Sequence, residues 1–302
     1  MILLSLVGEQ PIPLLLPLWQ DASYKAVQFA ATPVTRPVAE TLAAAVRGDP
    51  QLRRLEVLPA LIVPAYDIGA ARAAMAQTIA QYHRSNQALV VNITGGTKLM
   101  SLAAVQAAFG SDVPLLYVST EQDCIIHMGS DAAEQSRTPI QVKITCEQYL
   151  SAHGLEVSEN VNFNPYQGRH IRPDQQGDAL EETVERQARQ SGFFDDVRRG
   201  LYIRKLTPRG PVVNELDVVA ARNGRLAVCS CKSGKKMNRE SLYELASLSR
   251  REAAGIYCGK MMATDLPELS KALRDRAADY HIHLVYGAEI NHAASHLKAA
   301  LK

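Results

Sequence analysis

An α/β protein of two domains is what this sequence predicts, and three observations carry the prediction. Short apolar runs alternate with helix-period segments through the first half. The pattern changes around residue 150, and the second half carries an Asn-Gly hairpin signal between two strand-like runs. A chain of 302 residues with 47% hydrophobic positions is long enough for two cores.

In the first half, strands are expected at "ILLSLV", "AVQFAAT", near "LEVLPA", at "ALVVNIT" and at "PLLYVST", with helices at "VTRPVAETLAAAVRG", "DIGAARAAMAQTIAQYHRS" and "TKLMSLAAVQAAFG". Continuous apolar strands between amphipathic helices mean a parallel sheet covered on both faces, which is a Rossmann-like doubly wound domain. "CIIHMG" and "PIQVKIT" read as an antiparallel extension of that sheet. The expected boundaries are a first domain over 1–145, a linker segment over 146–176, centred on the polar "ENVNFNPYQGRHIRPDQQG", and a second domain over 177–302.

The second domain opens on helix "DALEETVERQARQ" and strand "VRRGLYIRKL". "NELDVVAA" and "LAVCSCK" follow as strands joined through "RNG", then helix "RESLYELASLSRREA", strand "GIYCGKMMAT", helix "LPELSKALRDRAA" and strand "HIHLVYG". That order predicts a mixed sheet.

Composition narrows the function classes. Five cysteines without a CxxC pair argue against a disulfide framework or a structural zinc and suit a reducing cytoplasm. The apolar start has no basic n-region and is broken by Gly8, Glu9 and prolines, so neither an export signal nor a membrane anchor is expected. Net charge is only +2, yet six cations and no acid lie between Asp217 and Glu240, a run suited to a phosphate backbone.

Two constellations carry chemistry. "NITGGTKLM" is not a Walker A loop, because Thr97 precedes Lys98 and Leu99 follows it. Thr94, Gly95, Gly96, Thr97 and Lys98 nevertheless lie where a strand ends and a helix begins, a place that favours anions. Hydroxyls and an ammonium there would add donors. Val7, Gly8, Glu9 and Gln10 form a second loop in the matching position after the first strand, so the two loops are expected to share one site.

In "NELDVVAARNGRLAVCSCKSG", Asp217 lies on one hairpin strand and Lys232 on the next. Glu215 points the same way as Asp217, while Cys229 and Cys231 face away from Ser230 and Lys232 as core residues. Glu181, Glu182 and Glu185 on the preceding helix are the candidates for a further acid. Lys235, Lys236 and Arg239 would steer a phosphate backbone, with Tyr243 and Glu244 bordering the site or Tyr243 packing in a helix core.

"SLVGEQPIP" with "NITGGTKLM" resembles the CARF domain (CRISPR-associated Rossmann fold) of type III CRISPR ancillary effectors, and the second half resembles the PD-(D/E)xK restriction-endonuclease-like nuclease attached to it. The resemblance spans nearly the whole chain. It implies a homodimer that binds a cyclic oligoadenylate, cyclic tetra-adenylate being the expected ring, through Val7 to Gln10 and Thr94 to Lys98. It also implies a nuclease that uses magnesium or manganese, with Glu181, Asp217 and the Cys231 carbonyl as metal ligands, Lys232 orienting the nucleophile and Ser230 acting through water. Ser230 departs from the pattern, which places an acid there, and Glu215 is the expected compensation. Substrates would be single-stranded RNA or DNA, with nicking of duplex DNA. Two alternatives remain: an inactive sensor that holds nucleic acid or protein, and a ring nuclease that degrades its own ligand.

Overall fold

The computed structural model describes residues 1–159, 175–207, 210–234, 237–248, 254–255 and 257–301, with residues 175–177 described by backbone only. Lys235 and Lys236, and residues 160–174 of the expected linker, lie outside the described residues. The chain divides into two compact units, Met1–Val142 and Lys143–Lys302.

The first unit runs β1 (Ile2–Leu6), α1 (Ile12–Gln20), β2 (Ala26–Ala31), α2 (Arg36–Gly48), β3 (Glu56–Val57), β4 (Leu61–Ile62), α3 (Ile68–Arg84), β5 (Leu89–Asn92), α4 (Lys98–Ala108), β6 (Leu115–Ser119), β7 (Cys124–Met128) and β8 (Glu134–Pro139). The strand order is β3-β2-β1-β5-β6-β7-β8, with β4 also pairing β2. The strands from β3 to β6 are parallel, and β7 and β8 are antiparallel additions. Leu4, Leu6 and Val91 from the sheet pack with Met75 of α3 and Met100 of α4 in one buried cluster. The doubly wound order reverses between β1 and β5, which makes the edge after those two strands the switch point of the sheet.

Helix α1 was not among the expected elements, since Pro11, Pro13 and Pro17 crowd it. Pro11 and Pro13 sit at its entry, where the missing N–H is harmless. Pro17 lies inside and cannot donate to the Pro13 carbonyl four residues back. The buried Asn92 amide at the end of β5 donates to that carbonyl instead, at 3.1 Å. The strand expected at "PIQVKIT" also needs correction. The pairing strand β8 is Glu134–Pro139, polar and exposed throughout, an edge with no hydrophobic signature.

The second unit runs α5 (Cys146–Ala152), β9 (Glu156–Ser158), α6 (Gln175–Gln190), β10 (Asp196–Thr207), β11 (Gly210–Arg222), β12 (Arg225–Lys232), α7 (Arg239–Leu248), β13 (Gly259–Thr264), α8 (Lys271–Asp279), β14 (His283–Tyr286), a 3-10 turn at Gly287–His292 and α9 (Ala293–Ala300). Its sheet order is β14-β13-β12-β11-β10-β9, antiparallel from β9 to β12 and parallel from β12 to β14. The start of the expected linker is therefore structured: α5 and β9 fall inside it, and β9 pairs with β10. Leu180, Val184 and Ala188 of α6 pack with Leu297 of α9 against Val218, Ala227, Cys229 and Met261 of the sheet. Among the described residues, no helix is long and apolar enough to cross a membrane.

Candidate functional site

In the first unit, β1 and β5 are adjacent parallel strands, so the loops that leave their carboxyl ends must touch. They meet backbone to backbone. A Cβ on Gly8 would stand 3.0 Å from the Gly96 nitrogen, and one on Gly95 would collide with the Leu6 carbonyl oxygen and stand 2.9 Å from the Gly8 nitrogen. Gly96 turns the chain at a φ of +77°, a conformation that suits glycine.

The threonines have a different role from the expected one. The Thr94 hydroxyl donates to the Asn92 side-chain oxygen at 2.6 Å and accepts the Val118 N–H at 2.8 Å. The Thr97 hydroxyl donates to the Ala65 carbonyl at 2.8 Å and caps α4 by accepting the Met100 N–H at 3.2 Å. Both hydroxyl protons are thus committed within the fold, so these side chains shape the turn rather than reach out from it. Asn92, which sequence reading missed, is the centre of this bracing: it accepts from Thr94 and donates to α1. The groups left to face an anion are the N–H groups of Lys98 and Leu99 at the start of α4 and the exposed Lys98 ammonium. Across the seam, Val7 is fully buried and its N–H is taken by the Ala30 carbonyl at 2.8 Å, which leaves it no donor for an anion, while Glu9 is exposed. The Gln10 amide nitrogen is buried without a hydrogen-bond partner among the described residues, the condition of a donor that lacks its acceptor.

In the second unit, the Asn223-Gly224 turn sets the register of the acidic site. Both residues have positive φ, 50° and 74°, as a two-residue hairpin turn requires. Pairing then runs from Arg222 opposite Arg225 to Val218 opposite Cys229 and stops. At the next position the Asp217 side chain replaces the ladder. Its Oδ2 accepts the Cys231 N–H at 2.7 Å and the Ser230 hydroxyl at 3.0 Å, with the Lys232 ammonium at 3.7 Å. Because the N–H and C=O of a strand residue share an edge, the Cys231 carbonyl opens into the same gap.

Two further acids lie near this centre. Burial, followed by the charges of Asp217, Glu215 and Asp178, raises Glu181 from 4.5 to about 7. Burial and the charge of Asp217 raise Glu215 as well, against a hydrogen bond from Tyr202 on the facing strand. Of the helix glutamates, Glu185 is held by Arg189 at 3.0 Å and Arg199 at 3.1 Å, and Glu182 is exposed, which leaves Glu181 at the site. Asp178 was missed in the sequence, although its place three residues before Glu181 on one helix was a signal. Glu181, Asp217 and the Cys231 carbonyl are the groups through which a hard cation could be held. Among the described residues, no three His, Cys, Asp or Glu side chains converge as a closed metal cage. Magnesium is ordinarily held by one or two carboxylates with its waters retained, so the open arrangement suits it.

Cys229 and Cys231 are buried, their sulfurs 3.8 Å apart, and the hydrogen bond with Cys229, burial and nearby acids push the Cys231 thiol well up. They are core residues. Tyr243 on α7 is 42% exposed rather than packed in a core; it meets Tyr280 edge-on and accepts from Arg276 at 3.2 Å. Arg239 starts the same helix.

The raised carboxyls make a pH prediction. Without a cation, the folded chain holds a proton on Glu181 that the unfolded chain has already released above 4.5, so folding is favoured at low pH and this contribution is lost as pH rises through about 7. In chelator, the melting temperature is expected to fall between about pH 5 and about pH 8, and Glu181→Gln is expected to flatten that slope. Identical slopes for the two proteins would show that Glu181 is not the group responsible.

Residues 2–149 match the family model of the Card1 CARF domain, and residues 171–301 match that of the Card1-like endonuclease domain. No curated protein matches the chain in sequence. In fold, it is similar to protein VC1899 from Vibrio cholerae, with a TM-score of 0.84 and 17% identity over 99% of this chain and 98% of that one. It is also similar to Can2 from Sulfobacillus thermosulfidooxidans in complex with cyclic tetra-adenylate, with a TM-score of 0.80 and 19% identity over 100% and 99% of the two chains. A type III CRISPR defence DNA nuclease activated by cyclic oligoadenylate aligns with a TM-score of 0.67 and 18% identity, over 95% of this chain and 48% of that chain. At such identities the likeness establishes fold alone.

Proposed function

Because the chain belongs to the family that joins a Card1 CARF domain to a Card1-like endonuclease domain, we propose that it is a metal-dependent endonuclease of type III CRISPR defence, switched on by a cyclic oligoadenylate. Cyclic tetra-adenylate is the ring we assign, since Can2, of the same fold across its whole length, was solved with that ligand. The observation that carries the catalytic half is Asp217 lodged where the β11–β12 ladder ends, beside Lys232, with Glu181 and Glu215 close enough for each to be raised by its charge.

The charge of Asp217 raises both Glu181 and Glu215 although Lys232 lies beside it, and a divalent cation would relieve that repulsion. When bound, magnesium or manganese supplies a water of lowered pKa and offsets charge on the phosphodiester. The chain's own residues do the positioning. Ser230 and the Cys231 N–H hold Asp217 Oδ2 in place, so Oδ1 is the oxygen that would be available to hold a cation. Lys232 is placed to orient the attacking water and to draw the phosphate.

The regulatory half rests on the switch-point seam of the first unit. The free N–H groups of α4 and Lys98 suit the ring's phosphates, and Gln10 offers an unused donor. A homodimer fits the same unit. Leu99 and Leu102 of α4 and Phe109 just past its end are 36%, 53% and 70% exposed, beginning right after Lys98, and a second copy would cover them. A ring of repeated units suits a two-fold site. Activation then requires the ring to bind the active arrangement more tightly than the resting one.

The test is cleavage of single-stranded RNA, single-stranded DNA and duplex DNA, with magnesium or manganese, with and without cyclic tri-, tetra- and hexa-adenylate. Cleavage is expected only with metal and the cyclic tetramer together, and the ring is expected to be recovered intact. Cleavage without any ring would overturn the regulatory half. Ring binding without cleavage on any substrate would leave a sensor that regulates by binding.

A further inference from the structure

The carboxyl edge of the first sheet carries one more loop, between β4 and α3, that the sequence motifs did not include. Tyr66 in this loop is 83% exposed, far beyond what a side chain of its size shows when it serves a core. Its backbone, in contrast, is held on both sides. The preceding residue, Ala65, accepts the Thr97 hydroxyl at 2.8 Å, and the following residue, Asp67, caps α3 by accepting the Ala70 N–H at 2.9 Å. Thr97 itself caps α4, so Tyr66 is fixed close to the Gly95-Gly96 turn and the anion-facing start of that helix.

An exposed aromatic ring on an anchored stretch of backbone, beside a set of phosphate donors, is an arrangement by which proteins stack a nucleobase. We infer that Tyr66 is the stacking platform for one adenine of the cyclic ligand, an inference that rests on the sensor reading given above. The division of labour follows from the chemistry: α4 and Lys98 take phosphate, which every ring size and base offers alike, and Tyr66 adds contact with the base.

Calorimetric titration of the full chain with cyclic tetra-adenylate tests this, with sedimentation velocity run on the same samples. Stacking uses the ring and not the hydroxyl, so Tyr66→Phe and Tyr66→Trp are expected to bind within about twofold of wild type, while Tyr66→Leu loses roughly five- to a hundredfold. Tyr66→Leu binding as tightly as wild type would overturn the inference. So would Tyr66→Phe failing as badly as Tyr66→Leu, since the hydroxyl would then be the contact, or Tyr66→Leu losing affinity only by falling apart into single copies. Each of these outcomes leaves the sensor reading standing. Wild-type protein that binds no cyclic oligoadenylate would remove that reading, and this inference with it.

Discussion

Asp217→Asn is expected to reduce cleavage by about a thousandfold or more while leaving ring binding unchanged. The magnitude follows from what the carboxylate does. It is the acid nearest to Lys232, at 3.7 Å, and its Oδ2 is occupied by Ser230 and the Cys231 N–H, so the free oxygen and the charge are what remain for a metal. Metal-assisted stabilisation is worth several kcal/mol, and each factor of ten in rate corresponds to about 1.4 kcal/mol. The amide keeps an acceptor oxygen for Ser230 and Cys231, so the fold at the end of the ladder is preserved and the loss is chemical. Asp217→Ala differs in leaving the buried Cys231 N–H without a partner, at a further cost of about 1–3 kcal/mol in stability. Manganese titration by calorimetry should show binding to wild type and little to Asp217→Asn. Full metal-dependent cleavage by Asp217→Asn would remove the assignment.

That site was legible in the sequence to an unusual degree, because an Asn-Gly turn fixes register by counting. Asp217 and Ser230 each stand five residues from the turn's flanking pair, Arg222 and Arg225, and so must face each other. Ser230, where an acid was expected, is a hydrogen-bond donor to Asp217, a use that the residue type permits but does not announce. The choice among Glu181, Glu182 and Glu185 was not legible. It depends on Arg199 of β10 reaching Glu185 across from the helix, a long-range pairing that helix periodicity cannot show.

The first unit was legible in its strand and helix alternation and misleading in its loops. A threonine in a strand-helix turn presents the same letter whether its hydroxyl meets a ligand or a backbone carbonyl, and here Thr94 and Thr97 both serve the fold. Prolines hid α1, because the compensation for Pro17 comes from Asn92, which lies 75 positions further along the chain. Strand β8 was missed for the opposite reason: an edge strand exposed on both faces has no apolar alternation to read.

Gly95→Ala is the substitution expected to damage the first unit most. The damage is steric, since Gly95 has no left-handed φ to lose. An added Cβ would collide with the Leu6 carbonyl oxygen and approach the Gly8 nitrogen and Leu14 Cδ2 to 2.9 Å each. The first two are backbone atoms of the neighbouring strand and loop, which cannot rotate away as a side chain can. Overpacking of this kind costs roughly 1–3 kcal/mol, and a rigid contact places Gly95 at the upper end. The seam must open to accept the methyl group, which moves the start of α4 away from Gly8. Losing a single hydrogen bond to a charged phosphate is worth about 1.5–3 kcal/mol, so affinity for cyclic tetra-adenylate should fall tenfold or more, to an extent of about a hundredfold. Gly48→Ala makes the same chemical change with nothing within 4 Å of the new atom, and it should melt and bind as wild type does. If Gly95→Ala matched Gly48→Ala in both melting temperature and ring affinity, the two loops would not form the close seam on which the sensor reading depends.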